Sequence, residues 1–206
     1  FFADYSLKIY KKIIYIPNPI SFSFEKEKSK KLKIVLAVGR LDYIKGFDLL
    51  IKAWNLIYFV HPDWKLRIIG SGEEKFKLKR LIKDYKIKNV ELISQKKNIK
   101  DFYQSASIYA MSSREEGFPM VLLEAMSCGL PIVSFDNVGA KAIIEKGKTG
   151  VLVQLLDYRA LSEAISTMII DTKTRNEISK NAKSKSNEYD INNISSKWDK
   201  ILSLDV

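Results

Sequence analysis

Cysteine and histidine are nearly missing from this sequence: Cys128 and His61 are the only ones among 206 residues. One thiol excludes a disulfide framework and a multi-cysteine metal site. His61 precedes Pro62 with no partner at metal-ligand spacing, so it reads as structural, and Cys128 reads as a small packing residue at a helix end. No apolar run approaches the ~20 residues of a membrane span, and no signal-peptide pattern opens the chain. The expected setting is therefore reducing and cytoplasmic. Repeats, low-complexity segments and an Asp-x-Asp motif are also missing.

Arginine is scarce too, with 6 Arg against 29 Lys, in a chain of net charge +11. Such a surplus points first to a polyanion: nucleic acid, phosphates or an anionic membrane. Arginine is the usual bidentate reader of phosphates and bases, so a lysine-dominated surplus weakens the nucleic-acid option. Aromatics interleaved with basic residues, the mark of a single-strand binder, do not occur. The charge is also uneven: +5 over residues 1–33, 0 over 34–64, +8 over 65–100 and −2 over 101–206.

What is present is an alternation of short apolar runs with longer amphipathic stretches. Strands are expected at Ile34–Val38, Leu66–Ile69, Val90–Ser94, Ile108–Met111, Ile132–Phe135 and Val151–Val153. Helices are expected at Phe47–Phe59, Glu73–Tyr85, Ile99–Gln104, Val121–Ser127, Tyr158–Ile170, Lys173–Asn187 and Ile191–Leu202. Short strands that are apolar throughout belong to a sheet covered on both faces. The fold class is α/β, a Rossmann-like doubly wound parallel sheet of about six strands, with ligands expected at the strands' carboxyl ends. Residues 1–33 break this rhythm. Asp4–Tyr10 reads as a helix end, Ile13–Ile16 as a strand, and Ser21–Lys33 as a lysine-rich linker. They are expected to be the tail of a missing N-terminal domain plus linker, with 34–206 as the ligand-binding domain.

Gly39-Arg40-Leu41 ends the first strand and Lys45-Gly46 opens the following helix, which sets two cations beside the ligand crevice. Glu116 and Glu124 are separated by seven residues. Chance alone gives about 0.7 such pairs here, so placement carries more weight than spacing. Pro119 suits a helix's first turn. The N–H groups of Phe118, Met120, Val121 and Leu122 then stand free for a phosphate or sugar oxygen. Carboxylates at Glu116 and Glu124 suit sugar hydroxyls, and the whole set suits a sugar diphosphate. Two tempting matches fail. A Walker loop ending at Gly147-Lys148-Thr149 needs glycine where Ala142 stands, and a dinucleotide fingerprint from Gly70-Ser71-Gly72 needs glycine where Lys75 stands.

Taken in order, VGRLDYIKGFDLLIKAW, PDWKLRIIGSGEE, SSREEGFPMVLLEAMSCGLPIVSFD and IIEKGKTGVLV resemble the nucleotide-binding half of retaining GT-B glycosyltransferases of family 4, as does the lead-in IYIPNPI. The resemblance implies a UDP- or GDP-sugar donor and no metal or other cofactor. Arg40 and Lys45 would hold its diphosphate beside Gly39, Glu124 the ribose, and Glu116 the transferred sugar. Glu116, Arg40 and Lys45 form the implied catalytic set. Backbone from Gly117 through Phe118, Pro119, Met120, Val121 and Leu122 would line the donor, with the base near Ser94, Gln95 and the rest of the loop to Lys97. The implied task is building a bacterial surface polysaccharide, capsule or lipopolysaccharide, on a glycan or lipid-linked acceptor held by the missing domain. These 206 residues alone would bind donor without turnover, with peripheral contact to an anionic membrane at the inner face of the plasma membrane as a further expectation. Asn137-Val138-Gly139-Ala140-Lys141 departs from the turn of such relatives, which carries an acidic residue. Two other readings stay open. A nucleotide-sugar epimerase shares the architecture but lacks the EGFP…LLEAM block. A non-catalytic module would be expected to have lost Arg40, Lys45, Glu116 or Glu124, and all four are present.

Overall fold

Six short strands form one sheet in which every neighbour is parallel: β1 (Ile34–Val38), β2 (Lys65–Ile69), β3 (Val90–Ile93), β4 (Ile108–Met111), β5 (Ile132–Phe135) and β6 (Gly150–Val153). The computed structural model describes residues 14–20, 31–96 and 98–203. The sheet order is β3-β2-β1-β4-β5-β6. Because successive crossovers run outward first on one side and then on the other, the order reverses between β1 and β4. The loops leaving those two strands diverge there and open a crevice.

Side-chain alternation along β1 explains why the sheet needs two covers. Val35 and Ala37 join one buried cluster, with Leu50, Trp54, Leu66, Ile68, Leu161 and Ile165. Ile34 and Leu36 join the other, with Tyr103, Leu122, Met126, Ile132 and Ile143. The first cover includes α1 (Phe47–Ile57), α2 (Lys75–Asp84) and α6 (Tyr158–Ile170); the second includes α3 (Lys100–Ser105), α4 (Met120–Ser127) and α5 (Val138–Ile143). Then α7 (Thr172–Ser186), a short 3-10 turn (Asn187–Tyr189) and α8 (Ile191–Leu202) follow. Trp54 is fully buried, and its indole N–H donates to Asn89 Oδ1 at 3.0 Å, so the largest core side chain keeps its polar atom paired. Asp157, Asp171 and Asp190 accept hydrogen bonds from first-turn N–H groups of α6, α7 and α8, which fixes where those helices begin.

All six expected strands are present within a residue, and the seven expected helices within about two at either end. Three expectations need correction. Helix α5 was not foreseen, because six residues are too few to show a periodicity; its signal is the Asn137 N-cap, whose Oδ1 accepts from Ala140 N–H at 2.9 Å. Pro119 stands at the N-cap in an extended conformation, one residue before α4 rather than in its first turn. Ile14–Ile16 are in no strand; the 14–20 stretch is tied on by Ile20 N–H donating to Tyr189 O at 2.9 Å. The helix end at Asp4–Tyr10, Ile13 and linker residues 21–30 lie outside the described residues.

Candidate functional site

Two loops meet at the reversal point of the sheet, one after β1 and one after β4. The first turns back into α1 at Gly46, whose φ of 62° lies in the left-handed region. A Cβ there would stand 2.1 Å from Ser112 O of the second loop, so the two backbones approach as only glycine allows. Ser112 Oγ donates to Lys45 O at 3.0 Å, and Arg114 N–H donates to Ile44 O at 2.7 Å. The Arg114 side chain closes the joint: both terminal nitrogens bond Asp48 at 2.9 Å, one also reaches Tyr43 O at 2.6 Å, and the guanidinium stacks 3.9 Å from the Tyr43 ring centre. Burial works against charge on Asp48, but the Arg114 hydrogen bond and charge outweigh it and hold the carboxyl below its usual value. The same hydrogen bond raises Arg114.

This clamp sets the distance between Lys45 and Glu116, 71 residues apart in sequence. Lys45 Nζ donates to Glu116 Oε1 at 2.6 Å, and Ser113 Oγ donates to the same oxygen at 2.7 Å. The pair is mostly shielded, with side-chain exposures of 20% and 11%. Behind it, Asn137 Nδ2 donates to Ser113 O at 3.0 Å, and Gly139 N–H donates to Glu116 O at 2.9 Å. Sequence reasoning singled out neither Arg114 nor Asn137 for a positioning role. Their partners lie on other loops, so no local pattern announces them.

Arg40 and Lys45 differ sharply. Arg40 is 78% exposed and pairs with Asp42 at 3.1 Å, while Asp42 also accepts from Lys45 N–H at 3.0 Å. Gly39, Arg40, Gln95 and Glu124 line one cleft of about 280 Å³ with Val38, Ile69, Gly70, Ser71, Lys96 and Ile99, at the carboxyl ends of β1, β2 and β3. Glu124 sits one turn into α4, and its Oε2 accepts from Tyr103 O–H at 2.8 Å. Burial, then the neighbouring Tyr109 and Glu124, push the Tyr103 phenol well above its usual value, so it stays a donor. Ser94 is exposed beside the cleft and accepts from Lys75 Nζ at 2.9 Å; Lys97 lies outside the described residues.

Lys45, Glu116 and the Gly117–Leu122 stretch do not line that cleft. They belong to the adjoining second loop and the start of α4, which has no side-chain cap. Within that stretch, Leu122 departs from expectation: its N–H is taken by Pro119 O at 3.0 Å and its side chain is buried. Met120 and Val121 N–H have no backbone acceptor among the described residues. The Phe118 ring packs between Tyr15 and Tyr189, at 6.3 and 6.1 Å between ring centres. Gly117 is the odd one out. A Cβ on it would meet nothing within 4 Å, and its φ is not positive, so neither packing nor backbone conformation requires glycine there.

The Arg114–Asp48 clamp makes a prediction. Arg114→Ala leaves a half-buried carboxylate unpaired and should destabilise the domain by ~2–3 kcal/mol at pH 7. Because the folded-state value of Asp48 is lowered, its contribution is complete above the unfolded carboxyl value of about 4 and is lost as pH falls through the folded one. The gap between the urea midpoints of the two proteins should hold from pH 7 to about 5 and narrow below about 4. A constant gap would show that the pair does not stabilise the joint.

A 3-2-1-4-5-6 parallel sheet with cations, carboxylates and an uncapped helix start gathered at its reversal point defines a Rossmann-like doubly wound α/β domain. More narrowly, the chain belongs to the glycosyl transferases group 1 family, whose model matches residues 20–185. It is 37% identical over 194 residues to an uncharacterized glycosyltransferase of Haemophilus influenzae, covering 92% of this chain and 55% of that one. It is 36% identical over 175 residues to the amylovoran biosynthesis glycosyltransferase AmsD of Erwinia amylovora, covering 84% and 49%. Among solved structures it is similar to Anabaena Alr3699/HepE in complex with UDP-glucose, with a TM-score of 0.77 and 27% identity over 84% of this chain and 49% of that one. The solved structures it resembles are GT-B glycosyltransferases, and the Rossmann-like α/β fold agrees with theirs. The chain spans about half the length of the curated relatives it matches.

Proposed function

We propose that this chain is the donor-binding half of a retaining glycosyltransferase of family 4 that takes its sugar from a UDP- or GDP-sugar. The observation that carries this is the Lys45–Glu116 pair, held at 2.6 Å beside the uncapped start of α4 and next to the cleft bearing Arg40 and Glu124. In this scheme the nucleoside occupies the cleft near Gln95, and Glu124 accepts from the ribose hydroxyls. Lys45, Arg40 and the Met120 and Val121 N–H groups face the diphosphate, and Glu116 accepts from the sugar's hydroxyls. When the bond from the anomeric carbon to the phosphate oxygen breaks, its electron pair stays with the nucleotide, where those fixed positive groups stabilise the charge without a metal ion; the anomeric carbon bonds the acceptor's hydroxyl oxygen, whose proton passes to the departing phosphate. The UDP-glucose bound by Alr3699/HepE supports a donor of this kind. The biosynthetic role printed in the name of AmsD supports a role in bacterial polysaccharide synthesis, and the acceptor is assigned to the part of the relatives that this chain does not span. On that view the 206 residues bind donor but do not transfer it. A cytoplasmic place is proposed with this; no helix among the described residues is long and apolar enough to cross a membrane.

Calorimetry with UDP, GDP and their hexose conjugates tests the proposal, and absence of heat with all of them would overturn it. Gly117→Ala adds a sharper arm. With open space around the position, the substitution should leave stability within ~0.5 kcal/mol of wild type. It should nevertheless weaken nucleotide-sugar binding about tenfold or more, because the methyl group stands where the sugar or phosphate has to approach the backbone. Unchanged affinity would remove Gly117 from the donor site.

A further inference from the structure

Part of the +8 charge of residues 65–100 lies on a single helix. Lys65 and Arg67 both pair with Glu91, Lys77 pairs with Glu74, and Arg80 lies 3.8 Å from Asp84. Lys79, Lys83, Lys86, Lys88 and Lys96 are exposed, and none has a carboxylate within ion-pair distance among the described residues. Three of the segment's four acidic side chains are thus already engaged, and only Glu73 remains.

Helix α2 concentrates this charge on one side. Leu78 is buried, and Leu81, Ile82 and Tyr85 pack against the core beside it. Phe76, Lys79, Arg80 and Lys83 follow at intervals of three, four and seven residues, so they share the opposite, outward face. Phe76 is 83% exposed, an aromatic ring in open water amid three cations. Other large apolar side chains are exposed as well, Phe59 and Val138 among them; what sets Phe76 apart is that it shares its helix face with Lys79, Arg80 and Lys83. An apolar side chain surrounded by lysines matches the boundary of an anionic bilayer, where the ring enters the headgroup layer and the cations meet lipid phosphates. Position adds a reason. Lys75, next to Phe76, bonds Ser94 on the loop that continues through cleft residues Gln95 and Lys96.

We infer that the outward face of α2, formed by Phe76, Lys79, Arg80 and Lys83, is a docking surface for an anionic lipid bilayer, with Phe76 as its inserted anchor. It keeps the cleft mouth at the membrane surface, where a lipid-linked acceptor would be met. This use rests on the proposed donor site; the lipid contact itself does not. Nucleic acid suits the face less well, because one exposed ring offers no series of stacking platforms and the charge is mainly lysine.

Co-sedimentation of the 206-residue chain with vesicles tests it, using 70:30 phosphatidylcholine–phosphatidylglycerol against pure phosphatidylcholine. Wild type should prefer the anionic vesicles by at least tenfold, and the preference should shrink at 1 M salt, where screening shortens to ~3 Å. Removing one lysine is expected to weaken binding about fivefold, so Lys79→Glu with Lys83→Glu should abolish it. Phe76→Ala should weaken it about tenfold with net charge unchanged. A charge-matched control, Lys173→Glu with Lys180→Glu on α7, should bind like wild type. Equal loss in the control would mean bulk charge and overturn the surface. So would equal binding to both vesicle types, no binding to either, or tighter binding to a mixed-sequence RNA lost in the same variants. Nucleotide-sugar calorimetry on Lys79→Glu with Lys83→Glu should match wild type, so failure of the lipid surface and failure of the donor site are read separately.

Discussion

Gly46→Ala should be among the most damaging single substitutions in the domain, lowering stability by at least ~3 kcal/mol. Two penalties combine. A side chain in the left-handed region costs ~1–2 kcal/mol, and the added Cβ would overlap Ser112 O at 2.1 Å. That oxygen belongs to the backbone of the loop leading to Glu116, so the overlap is relieved only by separating the loops. Gly147 provides the comparison. Its φ is 77°, yet a Cβ there meets nothing within 4 Å, so Gly147→Ala should cost only the ~1–2 kcal/mol of strain. Urea denaturation of the two variants isolates the close approach. Equal losses would mean that the approach of the loops contributes nothing.

Lys45→Ala should weaken nucleotide-sugar binding by about 10–100-fold, the range for losing a hydrogen bond to a charged group, while uridine or guanosine binds as before. The selectivity is the point: the proposed scheme turns Lys45 to the diphosphate and puts the nucleoside in the cleft beyond it. Arg40→Ala should have the same sign and a smaller size, because its guanidinium is 78% exposed and shared with Asp42. Lys45→Ala also leaves the shielded Glu116 carboxylate with Ser113 as its one side-chain donor among the described residues, so unfolding should be measured beside calorimetry. Equal loss of nucleoside and nucleotide-sugar affinity would remove Lys45 from the diphosphate.

The strands were legible because each is a compact apolar run, and burial on both faces leaves little room for polar residues. Most helices were legible from their periodicity and caps. Helix α5 escaped because its cohesion comes from outside it. Gly139 N–H bonds Glu116 O, and a Cβ at Gly139 would meet Glu116 O and Pro119 Cδ at 2.7 Å. The segment that seemed only to lack an acidic residue therefore supports the Glu116 loop through Asn137 and Gly139. For Pro119 the error was one of position by a single residue, a resolution that capping signals seldom reach. The free N–H groups expected at Phe118–Leu122 shrank by one when the first turn closed on itself through Leu122.

Composition posed the question of the +11 charge, and only the folded chain divides it. Within 65–100, Lys65, Arg67, Lys77 and Arg80 pair with Glu91, Glu74 and Asp84, and part of the net excess that these pairs leave lies on α2 around an exposed ring. Period and local pattern, being properties of neighbours along the chain, were enough to read the α/β class, the strands, the family and a set of candidate site residues. The tertiary structure alone decided that Lys45 meets Glu116, that Arg114 locks their loops to Asp48, and that Lys45 is shielded while Arg40 is not. Those outcomes depend on contacts between residues as many as 71 positions apart, set by the reversal of strand order between β1 and β4.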